Sequence, residues 1–326
     1  MNKTLNPKLF DEDVEQVPTR NGFGEGLVLA GEADKNVVAL CADLTESTRM
    51  EAFKKKFPER FVEVGVAEQN LVTVGSGMAA VGKIPFVSSY ATFSPGRNWE
   101  QIRTTICYND QPVKIVGSHA GISVGPDGAT HQALEDLAIM RVLPNMVVVC
   151  PCDAVEAKKA TLAIAGNGKP SYIRLGRDKS PVMTTEETPF HIGEAEVFKE
   201  GKDVSIIACG QMVYQALVAA KELEEDHISA RVINNHTIKP LDELVIRQAA
   251  EETGAIVTAE EHQRNGGLGS AVAEFLAEVH PVPIIRIGIN DRYGESGDPQ
   301  ELMKHFGLTS KEIKKAVLKV LRLKGK

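Results

Sequence analysis

The chain holds 326 residues, 43% of them hydrophobic and 25% charged. That is enough to bury a large core and long enough for about two domains, which excludes a disordered chain. Lysine and arginine total 37 against 44 aspartates and glutamates, a net charge of −7 with a pI near 5.7, so the basic field needed for counterion-driven nucleic-acid binding is missing.

Short apolar runs rich in β-branched residues recur at positions 36–44, 61–66, 84–90, 112–119, 146–153 and 171–175, with helical-period stretches between most of them. Segments such as VVALCA and MVVVC are continuously apolar, which predicts strands covered on both faces in a mostly parallel sheet. After Gly176 the pattern breaks into a polar stretch with two prolines, read as a linker carrying a short hairpin, with a domain boundary near Phe190. A second series follows in VSIIACG, ARVINNHTI, AIVTAEEH and VPIIRIGI, with helices expected after Gln211, Leu241 and Gly267 and two more near the end. The expected architecture is α/β: two doubly wound domains, 1–190 and a smaller 191–326. The five cysteines include no C-x-x-C pair, no stretch reaches the about 18 apolar residues of a membrane span, and Met1 to Gln16 has no apolar signal core. These features lead to the expectation of a cytoplasmic protein without membrane contact and without a metal site of its own.

Doubly wound sheets bind ligands outside the carboxyl ends of their strands, so the residues just after each run are the candidates. They are Asp43 and Ser47 after the first, Glu68 after the second, Tyr90 and Phe93 after the third, His119 after the fourth and Arg177 after the sixth. Glu68 falls in a first helical turn, where the macrodipole alone favours an acid. Between the apolar VGV and a Gly- and Ala-rich helix it also suits a buried carboxyl that shares a proton with a ring nitrogen. Tyr90 and Phe93 read either as core aromatics or as a stacking platform for a flat heterocycle. In SHAGISVGPDGATHQALEDL, His119 and His131 bracket Asp127 in a glycine-rich loop before a helix expected to start near Gln132. This is either a surface loop with a turn at 126–128 or a place where polar substrates are handled. Its spacing is unlike HExxH, so a metal is not indicated. Arg177 suits either an anion anchor or a solvated position, and GGLG either a phosphate loop or a tight strand-to-helix connection.

Taken together, ADLTES, GVAEQN, SSYATF, GSHAGISVGPDGATHQALEDL and YIRLGR resemble the pyrimidine-binding and C-terminal domains of transketolase, in order over almost the whole chain. The family's GDG-to-Asn motif, which holds Mg²⁺ and the pyrophosphate of thiamine diphosphate, has no counterpart. The resemblance therefore implies the C-terminal subunit of a split transketolase. A separate N-terminal subunit would carry the diphosphate-binding domain and hold most of the Mg²⁺ site, in an α2β2 assembly. The implied reaction transfers a two-carbon ketol unit between sugar phosphates, as in the pentose phosphate pathway. On the family pattern Glu68 matches the glutamate that hydrogen-bonds N1′ of the aminopyrimidine, Tyr90 and Phe93 the aromatic cradle, and Asp43 the acid near the thiazolium. Arg20, Ser47 and Arg177 match positions that hold the substrate phosphate. His119, Asp127 and His131 match residues that contact ketose hydroxyls and help move protons. Pro126 and Ala129 depart from the usual pattern, and an apparent one-residue extension at 95–97 leaves Arg97 without a role. The β subunit of a 2-oxo acid dehydrogenase, a deoxyxylulose-phosphate synthase-like enzyme and a non-catalytic α/β binding subunit are the alternatives.

Overall fold

The computed structural model describes residues 1–325; position 326 lies outside them. The chain is α/β throughout. In chain order β1 (Gln16–Pro18) leads into the helix Thr19–Ala33, and then come β2 (Val37–Cys41), β3 (Phe61–Glu63), β4 (Ile84–Tyr90), β5 (Lys114–Ser118), β6 (Val147–Val149), β7 (Ser171–Arg174) and β8 (Lys179–Pro181). The second series is β9 (Glu196–Lys199), β10 (Val204–Ala208), β11 (Ala230–Asn234), β12 (Thr237–Lys239), β13 (Ile256–Gln263) and β14 (Ile284–Ile289).

One sheet has the order β12-β6-β7-β5-β4-β2-β3 and the other β14-β13-β10-β11-β9, each parallel except for one antiparallel edge strand. Every residue of β2, β5, β6, β7 and β10 is buried, and β2 and β6 accordingly read as unbroken apolar runs. Ile207, Cys209, Ile233 and Ile256 of the second sheet share one apolar cluster with Val148, Cys150 and Tyr172 of the first. All five cysteines are buried and unbridged. Among the described residues no helix is long and apolar enough to cross a membrane.

Three local expectations change. The polar stretch after Gly176 forms no hairpin: β8 pairs antiparallel with the distant β1, Val17 opposite Ser180. ARVINNHTI is two strands rather than one, and its second half, β12, crosses to the first sheet. There it covers the edge of β6, with Cys150 N–H donating to the His236 carbonyl at 2.7 Å. The helix expected from Gln132 starts at Asp136 and runs to Arg141. The Gln132 side chain is spent instead on loop carbonyls.

Two helices set the height of the site's floor. Thr19–Ala33 packs on Ala154–Gly166 through Gly22, where a Cβ would lie 1.8 Å from the Ala154 carbonyl oxygen. This close approach brings Arg20, in the first turn, to the carboxyl edge of the first sheet.

Candidate functional site

Glu68 opens the helix Glu68–Ala80 and is 2% exposed. Three neighbours fix it. Ser89 Oγ at the end of β4 donates to one carboxylate oxygen at 3.3 Å, an Arg97 guanidinium N–H donates to the other at 2.8 Å, and Asn98 Nδ2 donates to the Glu68 carbonyl at 2.8 Å. Asn98 is itself buried, so the segment after β4 is tied to the first helical turn by backbone and side chain together. Arg97 is half exposed. A buried carboxylate whose one cation can swing into solvent is a carboxylate that an incoming ligand can engage.

The aromatic residues form a wall beside it. Tyr90 and Phe93 lie with ring centroids 6.2 Å apart and planes 19° from parallel, and His119 stacks on Tyr90 at 3.9 Å. His131 meets Phe93 edge-on at 5.3 Å, and the Arg97 guanidinium covers the Phe93 ring at 4.7 Å. Both aromatics are half-buried, as a platform requires, and neither belongs to the core. Contact therefore runs without a break from Glu68 through Arg97, Phe93 and His131 to Tyr90 and His119.

Beyond His119 the surface turns basic. Arg20 donates through one terminal nitrogen to the Ser47 carbonyl at 2.8 Å and to His119 Nε2 at 3.1 Å. It is the Ser47 backbone that anchors Arg20. Arg177 donates to the Val124 carbonyl at 2.7 Å and to the exposed Asp127 at 3.3 Å. A cleft of about 430 Å³ opens here, lined by Arg20, Asn21, Arg49, Ser123, Arg177 and Lys179 among others. Arg49 had no place in the sequence reading. A larger cleft of about 610 Å³, between the β1–β8 ribbon and the C-terminal helices, contains none of the candidate residues.

Asp43 (φ 58°), Arg49 (φ 63°) and His119 (φ 56°) all hold left-handed backbone without being glycine. Such conformations cost of order 1–3 kcal/mol each and persist where surrounding structure enforces them. At Asp43 the enforcer is Glu63, whose carboxylate accepts from Asp43 N–H at 2.7 Å and Gly65 N–H at 3.0 Å. Asp43 itself is exposed just after the end of β2.

His119 sits where a positively charged ring is disfavoured. Burial, reinforced by the positive charges of Arg20, Arg177 and Arg49, drives its pKa down to about 3. An arginine N–H can only donate, so Nε2 must be the acceptor toward Arg20, and the proton sits on Nδ1, which donates to Ser118 Oγ at 2.9 Å. His119 is thus a neutral ring of fixed tautomer at physiological pH.

The second domain reaches into the site by bracing its loop. Glu261, at the end of β13, accepts from Ser123 N–H at 2.7 Å and from Gln211, while burial raises its pKa. Gln132 Nε2 donates to the carbonyls of Ile122, Gly125 and Glu295, the last at 2.9 Å. Gly125 and Gly128, both at positive φ, lie against Pro299 and Ser296. Local pattern does not show the bracing between domains, because the Glu261–Ser123 and Gln132–Glu295 contacts join positions 138 and 163 apart. GGLG is a capped helix start, not a phosphate loop: the Glu260 carboxylate accepts from Leu268 and Gly269 N–H, each at 2.8 Å.

Comparison with known proteins places the chain in a family. Residues 15–182 match the family described as transketolase, pyrimidine binding domain, and residues 193–313 that described as transketolase, C-terminal domain. A putative transketolase C-terminal section of Methanocaldococcus jannaschii is 44% identical, over 93% of this chain and 96% of its own length. A 6-deoxy-6-sulfo-D-fructose transketolase subunit of a Clostridium species is 41% identical over 97% of this chain and 98% of its own. A solved split-gene transketolase, described as an inactive β4 tetramer, superposes with a TM-score of 0.89 at 48% identity, covering 94% of this chain and 99% of that one. The chain belongs to the transketolase family, as a subunit of the split type built from the pyrimidine-binding and C-terminal domains.

Proposed function

We propose that the chain is the C-terminal subunit of a thiamine diphosphate-dependent transketolase that reversibly moves a two-carbon ketol unit from a ketose phosphate to an aldose phosphate. Residues 1–190 form the pyrimidine-binding domain and 191–326 the C-terminal domain in this reading. The observation that carries it is the unbroken surface from the buried Glu68 carboxylate, past the Tyr90–Phe93 wall, to the arginines of the basic cleft. A flat ring that offers a nitrogen to a carboxylate and a face to aromatics fits its first part, and a sugar with an anionic terminus fits its second.

When bound, thiamine diphosphate supplies the carbon nucleophile and the electron sink for carbon–carbon cleavage. This chain positions and tunes. Glu68 would hydrogen-bond the pyrimidine nitrogen, Tyr90 and Phe93 would hold the ring, and Asp43, after the end of β2, would be the acid on the thiazolium side. His131, at the wall's open edge, moves a proton at the ketose hydroxyls. His119 and Asp127 contact the ketose hydroxyls, His119 doing so when its Nε2 exchanges Arg20 for a substrate hydroxyl. Arg20, Ser47 and Arg177 hold the terminal phosphate. Among the described residues no group of three or more His, Cys, Asp or Glu side chains could hold a metal ion. The pyrophosphate and Mg²⁺ are assigned to an N-terminal subunit, in an α2β2 complex in the cytoplasm. The inactivity named for the β4 relative supports this division of labour.

The test is reconstitution. With its partner subunit, thiamine diphosphate and Mg²⁺, the chain should convert xylulose 5-phosphate and ribose 5-phosphate to sedoheptulose 7-phosphate. A well-formed complex that yields no ketol transfer with any ketose phosphate refutes the assignment, and decarboxylation of a 2-oxo acid in the same mixture replaces it with the dehydrogenase reading.

A further inference from the structure

Arg49 is the residue of the basic cleft that the family reading leaves without a task. Its Nε donates to Asn21 Oδ1 at 2.9 Å, on the same helical turn that carries Arg20. Among the described residues its two terminal nitrogens make no hydrogen bond, and no carboxylate pairs with it. Arg20 likewise has only a carbonyl and a neutral imidazole as partners. Arg177 alone of the three has an acid beside it, Asp127 at 3.3 Å, and both members of that pair are about one-third exposed.

Lys179 adds a fourth cation at the rim, and Asp178 one acid. The cleft therefore concentrates positive charge beyond its local compensation, and the effect reaches its neighbours: burial first, and then the surrounding arginines with Arg49 among them, lower the proton affinity of Arg20 and His119. The backbone enforces the arrangement. Arg49 stands at φ 63°, with its carbonyl and Cβ against Gly24, where any side chain would come within 3 Å of them.

Like charges gathered without counter-charges are relieved in proportion to the charge of the anion that enters. A phosphate ester offers nearly two negative charges and three oxygens, a sulfonate one charge, a hydroxymethyl terminus none. We propose that Arg49 is a specificity-determining residue whose free guanidinium face makes the outer end of this cleft select a terminal phosphate dianion over a sulfonate or a neutral terminus. The inference rests on the proposed ketol transfer and narrows its substrate class.

Two measurements test it. In the reconstituted complex, kcat/KM is compared for fructose 6-phosphate and 6-deoxy-6-sulfofructose, which share a carbon skeleton. The unmodified chain should favour the phosphate, and Arg49→Gln should cut that preference about tenfold, mainly through KM, with Arg49→Lys restoring part of it. Separately, calorimetry of inorganic phosphate and methanesulfonate with the full chain alone should show phosphate binding weakened about tenfold by Arg49→Gln and methanesulfonate binding changed far less. A preference that stays within twofold of the parent's, or phosphate affinity equal in variant and parent, overturns the role of Arg49. If no ketose is turned over at all, the ketol-transfer reading fails while the calorimetry still decides Arg49.

Discussion

The half-exposed guanidinium of Arg97 donates at 2.8 Å to the carboxylate of Glu68, which is all but closed to solvent, and at the same time covers the Phe93 ring at 4.7 Å. One side chain thus touches both the acid and the aromatic wall. Among the described residues it is the one cation hydrogen-bonded to that buried carboxylate. Replacing it with Leu should leave Glu68 buried without that partner and lower kcat of the reconstituted complex about tenfold with little change in KM for the ketose phosphate. Arg97→Lys should return most of the activity, whereas a structural role alone would lower yield without separating kcat from KM. An unchanged kcat in Arg97→Leu removes this positioning role.

Glu68→Gln keeps the volume and one acceptor oxygen but cannot carry the charge that Arg97 compensates. Turnover by the reconstituted complex should fall by at least about a hundredfold, the range seen when a positioned acid–base group is lost. The far-ultraviolet circular dichroism and the melting profile of the chain should stay close to the parent's. Activity within a few-fold of the parent's takes Glu68 out of the chemistry.

Because His119 is held neutral with Nε2 as acceptor, it contributes no limb to the pH profile near neutrality. His119→Gln can accept from Arg20 through its amide oxygen. It should lower kcat/KM about tenfold by loosening Arg20 while leaving the profile's shape intact, whereas His131→Gln, which removes the ring proposed to move a proton, should lower kcat. A profile changed by His119→Gln would show that the ring does titrate during turnover.

How much of this was readable beforehand follows the range of the interactions. Strands such as β2 and β6 announce themselves because full burial favours an unbroken apolar run, and a parallel sheet places the groups after its strands at one edge. Glu68, Tyr90, Phe93 and His119 were found by that rule. Arg97, Arg49 and Gln132 were not given their places by it. Arg97 reaches Glu68 and Arg49 reaches Asn21 across 29 and 28 positions and Gln132 reaches Glu295 across 163, and nothing in the local pattern of an arginine or glutamine records such a partner. β12 was misplaced for a like reason. Thr237–Lys239 is a short β-branched run wherever it sits, and only the open edge of β6 decides which sheet it joins.

Gln132 supports the site from behind. Its amide holds three carbonyls of two segments, including Glu295 of the second domain. Gln132→Ala should free the loop that carries Asp127 and His131. The expected result is a rise of about five- to tenfold in KM for the ketose phosphate with a smaller change in kcat, because binding geometry rather than the reacting group is lost. Faster hydrogen exchange confined to residues 121–131 should accompany it. An unchanged KM with unchanged exchange would show that Glu261 suffices as the brace.

Where the two domains meet, Glu156 is wholly buried, accepting from Cys152 N–H and Asn234 Nδ2, each at 2.6 Å. Burial first, and then the nearby charge of Asp153, raise its pKa from 4.5 to about 7. A carboxyl of raised pKa binds in the folded state a proton that the unfolded chain has already released. Its contribution to stability is therefore complete below about pH 4.5 and is lost as pH climbs through 7. His119 and His236, both driven down to about 3, act in the opposite sense: what they contribute is complete above about 6.5 and lost as pH falls toward 3. Those two contributions are common to parent and variant and cancel in a difference. The stability gap between the parent and Glu156→Gln should accordingly shrink by an amount on the order of 1–3 kcal/mol between pH 5 and pH 7.5, at a slope no steeper than about 1.4 kcal/mol per unit. Denaturant titrations at the two pH values measure it, and a gap that is the same at both would mean that Glu156 enters the fold already ionised.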